Sequence, residues 1–255
     1  MRTTFIERAM TYRFATEDQD YSDLSAGRVL MGLPGLPAFP VRLASEMFQR
    51  SLHHLLPYPG PVTIYDPTCG GAYHLAALGF LHGAQIASIL ASDIEPRAVA
   101  LAERNLSLLH PAGLATREAE IGHLYSIYGK TSHSVALESV QVLRRMRMAQ
   151  ENHIQVDAGT ANALEPDSIG AFLAQTQIDI ILSDLPYGSM STWQVEQESP
   201  NPPAWRLLDA LLPNIRAGAV IALAADKTQK ISHEGYRRLE RFQIGKRQVT
   251  LLTVQ

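Results

Sequence analysis

Val62-Thr63-Ile64-Tyr65 is an apolar, largely β-branched run, and Asp66-Pro67-Thr68-Cys69-Gly70-Gly71-Ala72 turns it abruptly into a helical stretch that reaches Leu81. This unit of strand, glycine turn and helix sets the pattern for the rest of the chain. A strand around Ile86 to Ser92 leads to a helix from Arg97 to Leu109, and Ile154-Gln155-Val156 precedes a helix near Ser168 to Gln175. Further strands run from Ile178 to Ser183 and from Ala219 to Ala225. Near-continuous apolar strands separated by helices belong to a parallel sheet covered on both faces. At the end, Leu239 to Ile244, Gly245-Lys246 and Arg247 to Val254 read as an antiparallel hairpin. The expectation is a single α/β domain over residues 1–255, with a mostly parallel seven-stranded sheet. Two additions flank it: an N-terminal segment, 1–57, and a helical insert, 115–152. In the first, Pro40 opens a helix that carries Leu43, Met47, Phe48, Ser51 and Leu55 at helical spacing.

Composition narrows the class. A chain that is 46% hydrophobic and 18% charged is globular rather than disordered or fibrous. Its one cysteine, Cys69, excludes an intrachain disulfide and suits a reducing cytoplasm. The start, Met1 to Arg8, lacks the apolar core of a secretory signal. Leu75 to Ala91, the most apolar stretch, is broken by Gly79, His82, Gly83 and Gln85 and cannot span a bilayer. Net charge is −3, yet from Asp226 onward Lys227, Lys230, Arg237, Arg238, Arg241, Lys246 and Arg247 outnumber Asp226, Glu234 and Glu240. A locally basic tail on an acidic chain fits one face meeting phosphates, although each single residue also fits a solvated surface.

The chemistry sits where strands end. An acid and a tight glycine turn after the first strand suit S-adenosylmethionine. Asp66 serves its ammonium group, while Thr68, Cys69, Gly70 and Gly71 bring backbone close to the methionine moiety. A dinucleotide site would need G-x-G-x-x-G, which the loop lacks, and its acid would repel phosphate. The second strand closes Ala91-Ser92-Asp93-Ile94-Glu95-Pro96, where Asp93, or Glu95 as second choice, can accept both ribose hydroxyls, with Ile94 beside them. Asp184-Leu185-Pro186-Tyr187 closes the fourth strand. The Asp184 carboxylate or Leu185 carbonyl can accept from an NH2, Pro186 stiffens the turn and Tyr187 offers a stacking face. Three acids at three strand ends point into one crevice, the arrangement of a Rossmann-like class I methyltransferase acting on an amino group. No H-E-x-x-H and no cysteine pair suggests a metal. Cys69 lacks a basic partner in sequence and is a poor candidate nucleophile.

The chain resembles the avilamycin-resistance large-subunit rRNA guanine-N2 methyltransferases, from about Tyr12 to the C-terminus. Pro37-Ala38-Phe39-Pro40-Val41-Arg42-Leu43-Ala44 and Asp184-Leu185-Pro186-Tyr187-Gly188 carry the likeness most specifically. Asp66-Pro67 with Cys69-Gly70, Asn105-Leu106, Pro111-Ala112-Gly113-Leu114, Gly129-Lys130 and Ile244-Gly245 add to it. The resemblance implies a monomeric enzyme that uses S-adenosylmethionine to methylate guanine N2 in 23S rRNA, blocking orthosomycin antibiotics. For N2, Asp184 need only accept a hydrogen bond, because the methylated amine loses its proton easily. The family's second loop glycine is Ala72 here. The acid expected near the adenine amine is Asn162, with Asp157 as alternative. RNA contacts are expected from the N-terminal segment, the insert, and Arg42, Lys227, Lys230, Lys246 and Arg247. Competing readings of D-L-P-Y are adenine N6 or protein glutamine methylation, or an RNA-binding protein without catalysis.

Overall fold

The computed structural model describes residues 12–17, 19–25, 27–32, 38–55, 60–185 and 200–255. Seven strands form one sheet in the order β3-β2-β1-β4-β5-β7-β6. They are β1 (Val62–Asp66), β2 (Ile86–Asp93), β3 (Gln155–Thr160), β4 (Ile180–Asp184), β5 (Val220–Asp226), β6 (Tyr236–Ile244) and β7 (Arg247–Val254). The first five pair in parallel, while β7 pairs antiparallel with both β5 and β6.

Alternation along the strands builds two cores. In β4, Ile180 and Leu182 face one side and Ile181 the other; in β5, Val220, Ala222 and Ala224 oppose Ile221, Leu223 and Ala225. The first side is covered by α1 (Val41–His54), α2 (Tyr73–His82), α3 (Pro96–Ser107) and the insert. The second is covered by α6 (Pro166–Leu173) and α7 (Pro203–Leu211). Helix α1 is part of the main core, with Met47 and Phe48 fully buried. Its buried Glu46 accepts from the backbone N–H groups of Phe14 and Ala15 at 2.9 and 2.8 Å and from Arg50 Nε at 2.7 Å. One carboxylate thus ties the N-terminal segment to the domain.

The insert is two helices, α4 (Pro111–Tyr128) and α5 (Thr131–Met148). Gly129, at φ 60°, supplies the left-handed residue that ends α4 and lets the chain reverse. Buried Leu114, Ile121, Ala136, Val140 and Leu143 join the hairpin to the first core. Strand β3 is longer than Ile154 to Val156 suggests. Its Asp157, Ala158 and Gly159 are poor strand formers, and the register with Leu90, Ala91 and Ser92 of β2 holds them extended. No described helix is long and apolar enough to cross a membrane.

Candidate active site

The strand order reverses between β1 and β4, so their carboxyl ends open a crevice, with the end of β2 beside it. Asp66, Asp93 and Asp184 are the last residues of β1, β2 and β4. The Thr68 and Ser183 hydroxyls meet at 2.6 Å, joining the loop after β1 to the end of β4.

The β1 loop is tightly specified. Asp66 Oδ1 accepts from the Thr68 N–H at 2.9 Å, and the Cys69 N–H donates to the Ser92 carbonyl at 2.9 Å. Asp93 Oδ2 accepts from the Gly70 N–H at 2.9 Å and Oδ1 from the Glu95 N–H at 3.0 Å. Burial raises the Asp93 pKa above the ordinary carboxylate value, against the pull of those two N–H groups. Glu95, the second choice for the ribose, caps α3 through the Arg97 N–H. Buried Asn105, whose role the sequence did not disclose, donates to the Gly71 and Met31 carbonyls and accepts from the Met31 N–H, each at 2.8 Å. Burial, then the negative charges of Asp66 and Asp93, push the Cys69 thiol well up, so it is no ready nucleophile.

Gly70 and Ala72 both take left-handed φ, 53° and 50°. Alanine there carries strain of about 1–2 kcal/mol. Ala72→Gly relieves it but frees the unfolded chain and gives up a fully buried core methyl, at about 0.5 and about 0.8 kcal/mol, leaving a net change within roughly 0.5 kcal/mol. The expected Tm therefore lies within about 2 °C of wild type, read by thermal melting. A fall well beyond that would show that the turn is not strained.

These residues fit S-adenosylmethionine. Fully buried Asp66 has an oxygen, Oδ2, with no hydrogen-bond partner among the described residues, an acceptor suited to an ammonium group. His74 Nε2 lies 3.0 Å from that oxygen without hydrogen-bond alignment. Ile94, 38% exposed just after β2, offers apolar surface beside Asp93. Asn162 fits less well. Its Oδ1 accepts from the Leu164 N–H at 3.0 Å and its Nδ2 donates to Glu165 at 2.8 Å, so the side chain is held in its own turn.

Asp184 is the acid with unusual chemistry. Burial pushes its pKa up to about 6, while Arg247 and His74 pull it down and Asp66 adds to the rise. Its Oδ1 is buried with no hydrogen-bond partner among the described residues; its Oδ2 lies 3.5 Å from Arg247 Nη2. The Leu185 N–H donates to the Ala224 carbonyl at 2.9 Å, and its side chain is buried. Pro186 and Tyr187 lie outside the described residues. Phe39 and His74, not anticipated from sequence, meet edge to face at 5.6 Å, and the Arg247 guanidinium stands 5.1 Å from the Phe39 ring. Arg42 donates to the Ala15 carbonyl at 3.0 and 2.9 Å and to the Thr16 carbonyl at 3.2 Å, bracing the N-terminal segment. Lys227, Lys230 and Lys246 are exposed. Because Asp226 pairs with Arg247, all three flank the same carboxyl edge as Asp184.

This sheet order, with an acid-and-glycine turn after β1 and acids after β2 and β4, defines a class I methyltransferase, for which S-adenosylmethionine is the methyl donor. Residues 10–247 match the profile of the rRNA methyltransferase AviRa family, and the chain belongs to that family. A relative from Streptomyces viridochromogenes, 23S rRNA (guanine(2535)-N(1))-methyltransferase, is 42% identical over 241 residues, covering 94% of this chain and 95% of its own. Two solved structures of rRNA methyltransferase AviRa from the same organism superpose with TM-scores of 0.84 and 0.85. They are 42% and 41% identical and cover 94% and 95% of this chain and 95% and 96% of theirs. The relative's name corrects the expected target atom: it specifies guanine N1, not N2. The acid-proline-aromatic clamp was read as a grip on an amino group, but an acceptor carboxylate serves a ring N–H equally well.

Proposed function

We propose that this protein methylates N1 of a guanine in 23S rRNA. The observation that carries this reading is the 42% identity, over 94% of the chain, to a relative named for that reaction. The chemistry of Asp184 supports it. Guanine N1 carries a hydrogen, and its lone pair is tied into the ring until that proton leaves. A base is therefore needed before or during transfer, and a carboxylate raised to about 6 is better matched to the task near neutral pH than an ordinary one.

Asp184 Oδ1 takes the N1 proton, and the electron pair left on N1, shared with O6, becomes the nucleophile. Asp66, Asp93 and the backbone around Gly70 would hold S-adenosylmethionine, which when bound would supply an electrophilic methyl with a neutral thioether as leaving group. The protonated Asp184 then returns its proton to solvent. Tyr187, next but one to the buried Leu185 in sequence, is assigned to stacking on the extruded base. Lys227, Lys230 and Lys246 are assigned to backbone phosphates along the carboxyl edge.

The test is to methylate 23S rRNA with purified protein and labelled donor, digest it to nucleosides and separate the methylguanosines by mass spectrometry. N1-methylguanosine is expected, with a reverse-transcription stop at the modified position because the pairing edge is blocked. Label only in another nucleoside, or in N2-methylguanosine, would overturn the reading.

A further inference from the structure

We propose that Arg247 recognises O6 of the target guanine and stabilises the negative charge that reaches this oxygen when N1 is deprotonated. The inference rests on the N1 reading above and gives Arg247 a different task from the phosphate contact expected from sequence.

Its position follows from register. Arg247 opens β7 opposite Asp226 of β5, and Ala224, two residues earlier on the same face, pairs with Asp184 of β4. From β7 to β4 is two strand spacings, roughly 9–10 Å. An arginine is long enough to cross that gap, and alanine at 224 keeps the path over β5 low. The crossing is made: Arg247 Nη2 stands 3.5 Å from Asp184 Oδ2, and the guanidinium stands 5.1 Å from the Phe39 ring. Phe39 is itself buried and fixed edge-on against His74. The cation is thus held beside the base on a firm support, and it contacts one carboxylate oxygen while Oδ1 is left to the substrate.

The pairing edge of guanine presents an acceptor, O6, next to a donor, N1–H. A guanidinium next to a carboxylate presents the complementary order, donor then acceptor. Adenine reverses it, placing an amino donor before the arginine and a lone pair before the carboxylate. Loss of the N1 proton also spreads charge onto O6, so a cation there acts more strongly in the transition state than in the bound ground state. Arg247 would therefore serve both base choice and rate.

The experiment pairs one change in the protein with one atom in the RNA. Once the methylated guanine is mapped, short transcripts spanning it are made with guanosine or 6-thioguanosine at that position. Wild type and Arg247→Met are then compared on both under single turnover. Sulfur is the weaker acceptor, and any change it brings to N1 acidity is common to both enzymes and cancels in the ratio. Arg247→Met is expected to slow guanosine methylation about 100-fold and wild type to lose about 10-fold on the thio substrate, while the variant loses almost nothing further. Arg247→Lys, which keeps the charge but not the fork, should fall between them, and it serves as the second variant should methionine impair folding. Cofactor affinity measured by calorimetry should be unchanged in both, which a general collapse of the site would not allow. Equal thio sensitivity in wild type and variants, with the product still at N1, would overturn this inference alone. A wild-type product at another atom would remove the N1 reading and this inference with it.

Discussion

Asp184→Asn is expected to slow methylation by about 10³–10⁴-fold while leaving cofactor affinity intact, because it keeps the shape and removes the base. The amide cannot accept the N1 proton, and its NH2 would oppose the ring N–H. The pH dependence follows from the groups around it. Burial raises Asp184 to about 6, with Arg247 and His74 opposing and Asp66 reinforcing. The wild-type rate should climb as pH rises through about 6 and then level; the variant should show no such limb.

Stability should move the other way. A carboxyl whose folded pKa exceeds its unfolded value contributes stability fully below the unfolded pKa, and that contribution is lost as pH rises through about 6. At pH 8 the ionised, buried carboxylate therefore costs the fold, on the order of 1–3 kcal/mol. Asp184→Asn should then melt above wild type at pH 8, with the gap closing towards pH 4.5. A variant both inactive and less stable at pH 8 would mean that Asp184 holds the fold together, and the base assignment would lose its support.

The sequence disclosed the sheet because buried parallel strands must be apolar on both faces. Ile178 to Ser183 and Ala219 to Ala225 cannot be read otherwise at that length. The acids were legible for a related reason, since a carboxylate closing such a run must lie at an edge. Helix α7 was not anticipated, although Pro203 at its start and buried Ala204, Leu207, Leu208 and Leu211 carry the helical spacing. The groups packed around the acids were hidden. His74 beside Asp66, Phe39 beneath Arg247, and Arg247 reaching Asp184 come from distant parts of the chain, and only register brings them together. Asn162 was assigned through family likeness, and its local turn bonds engage the side chain intended for adenine. The target atom was beyond reach for a chemical reason: an acceptor after β4 suits an exocyclic amine and a ring N–H alike.

Asp93→Ala is expected to weaken S-adenosylmethionine binding about 100-fold or more, measured by calorimetric titration, with little change in RNA affinity. Its two oxygens hold the Gly70 and Glu95 N–H groups, fastening the glycine turn to the end of β2. Each is a charge-assisted bond worth about 1.5–3 kcal/mol, and the same oxygens keep lone pairs for a ribose diol. Alanine removes the anchor and the ligand acceptor together. Asp93→Asn should rescue little, because its NH2 would face one of the two backbone donors. Set beside Asp184→Asn, the two acids divide the labour: one variant binds the donor and does not transfer, the other scarcely binds it. Undiminished donor affinity in Asp93→Ala would place the nucleoside elsewhere in the crevice, and the fit of Asp93 and Ile94 to its ribose end would be wrong.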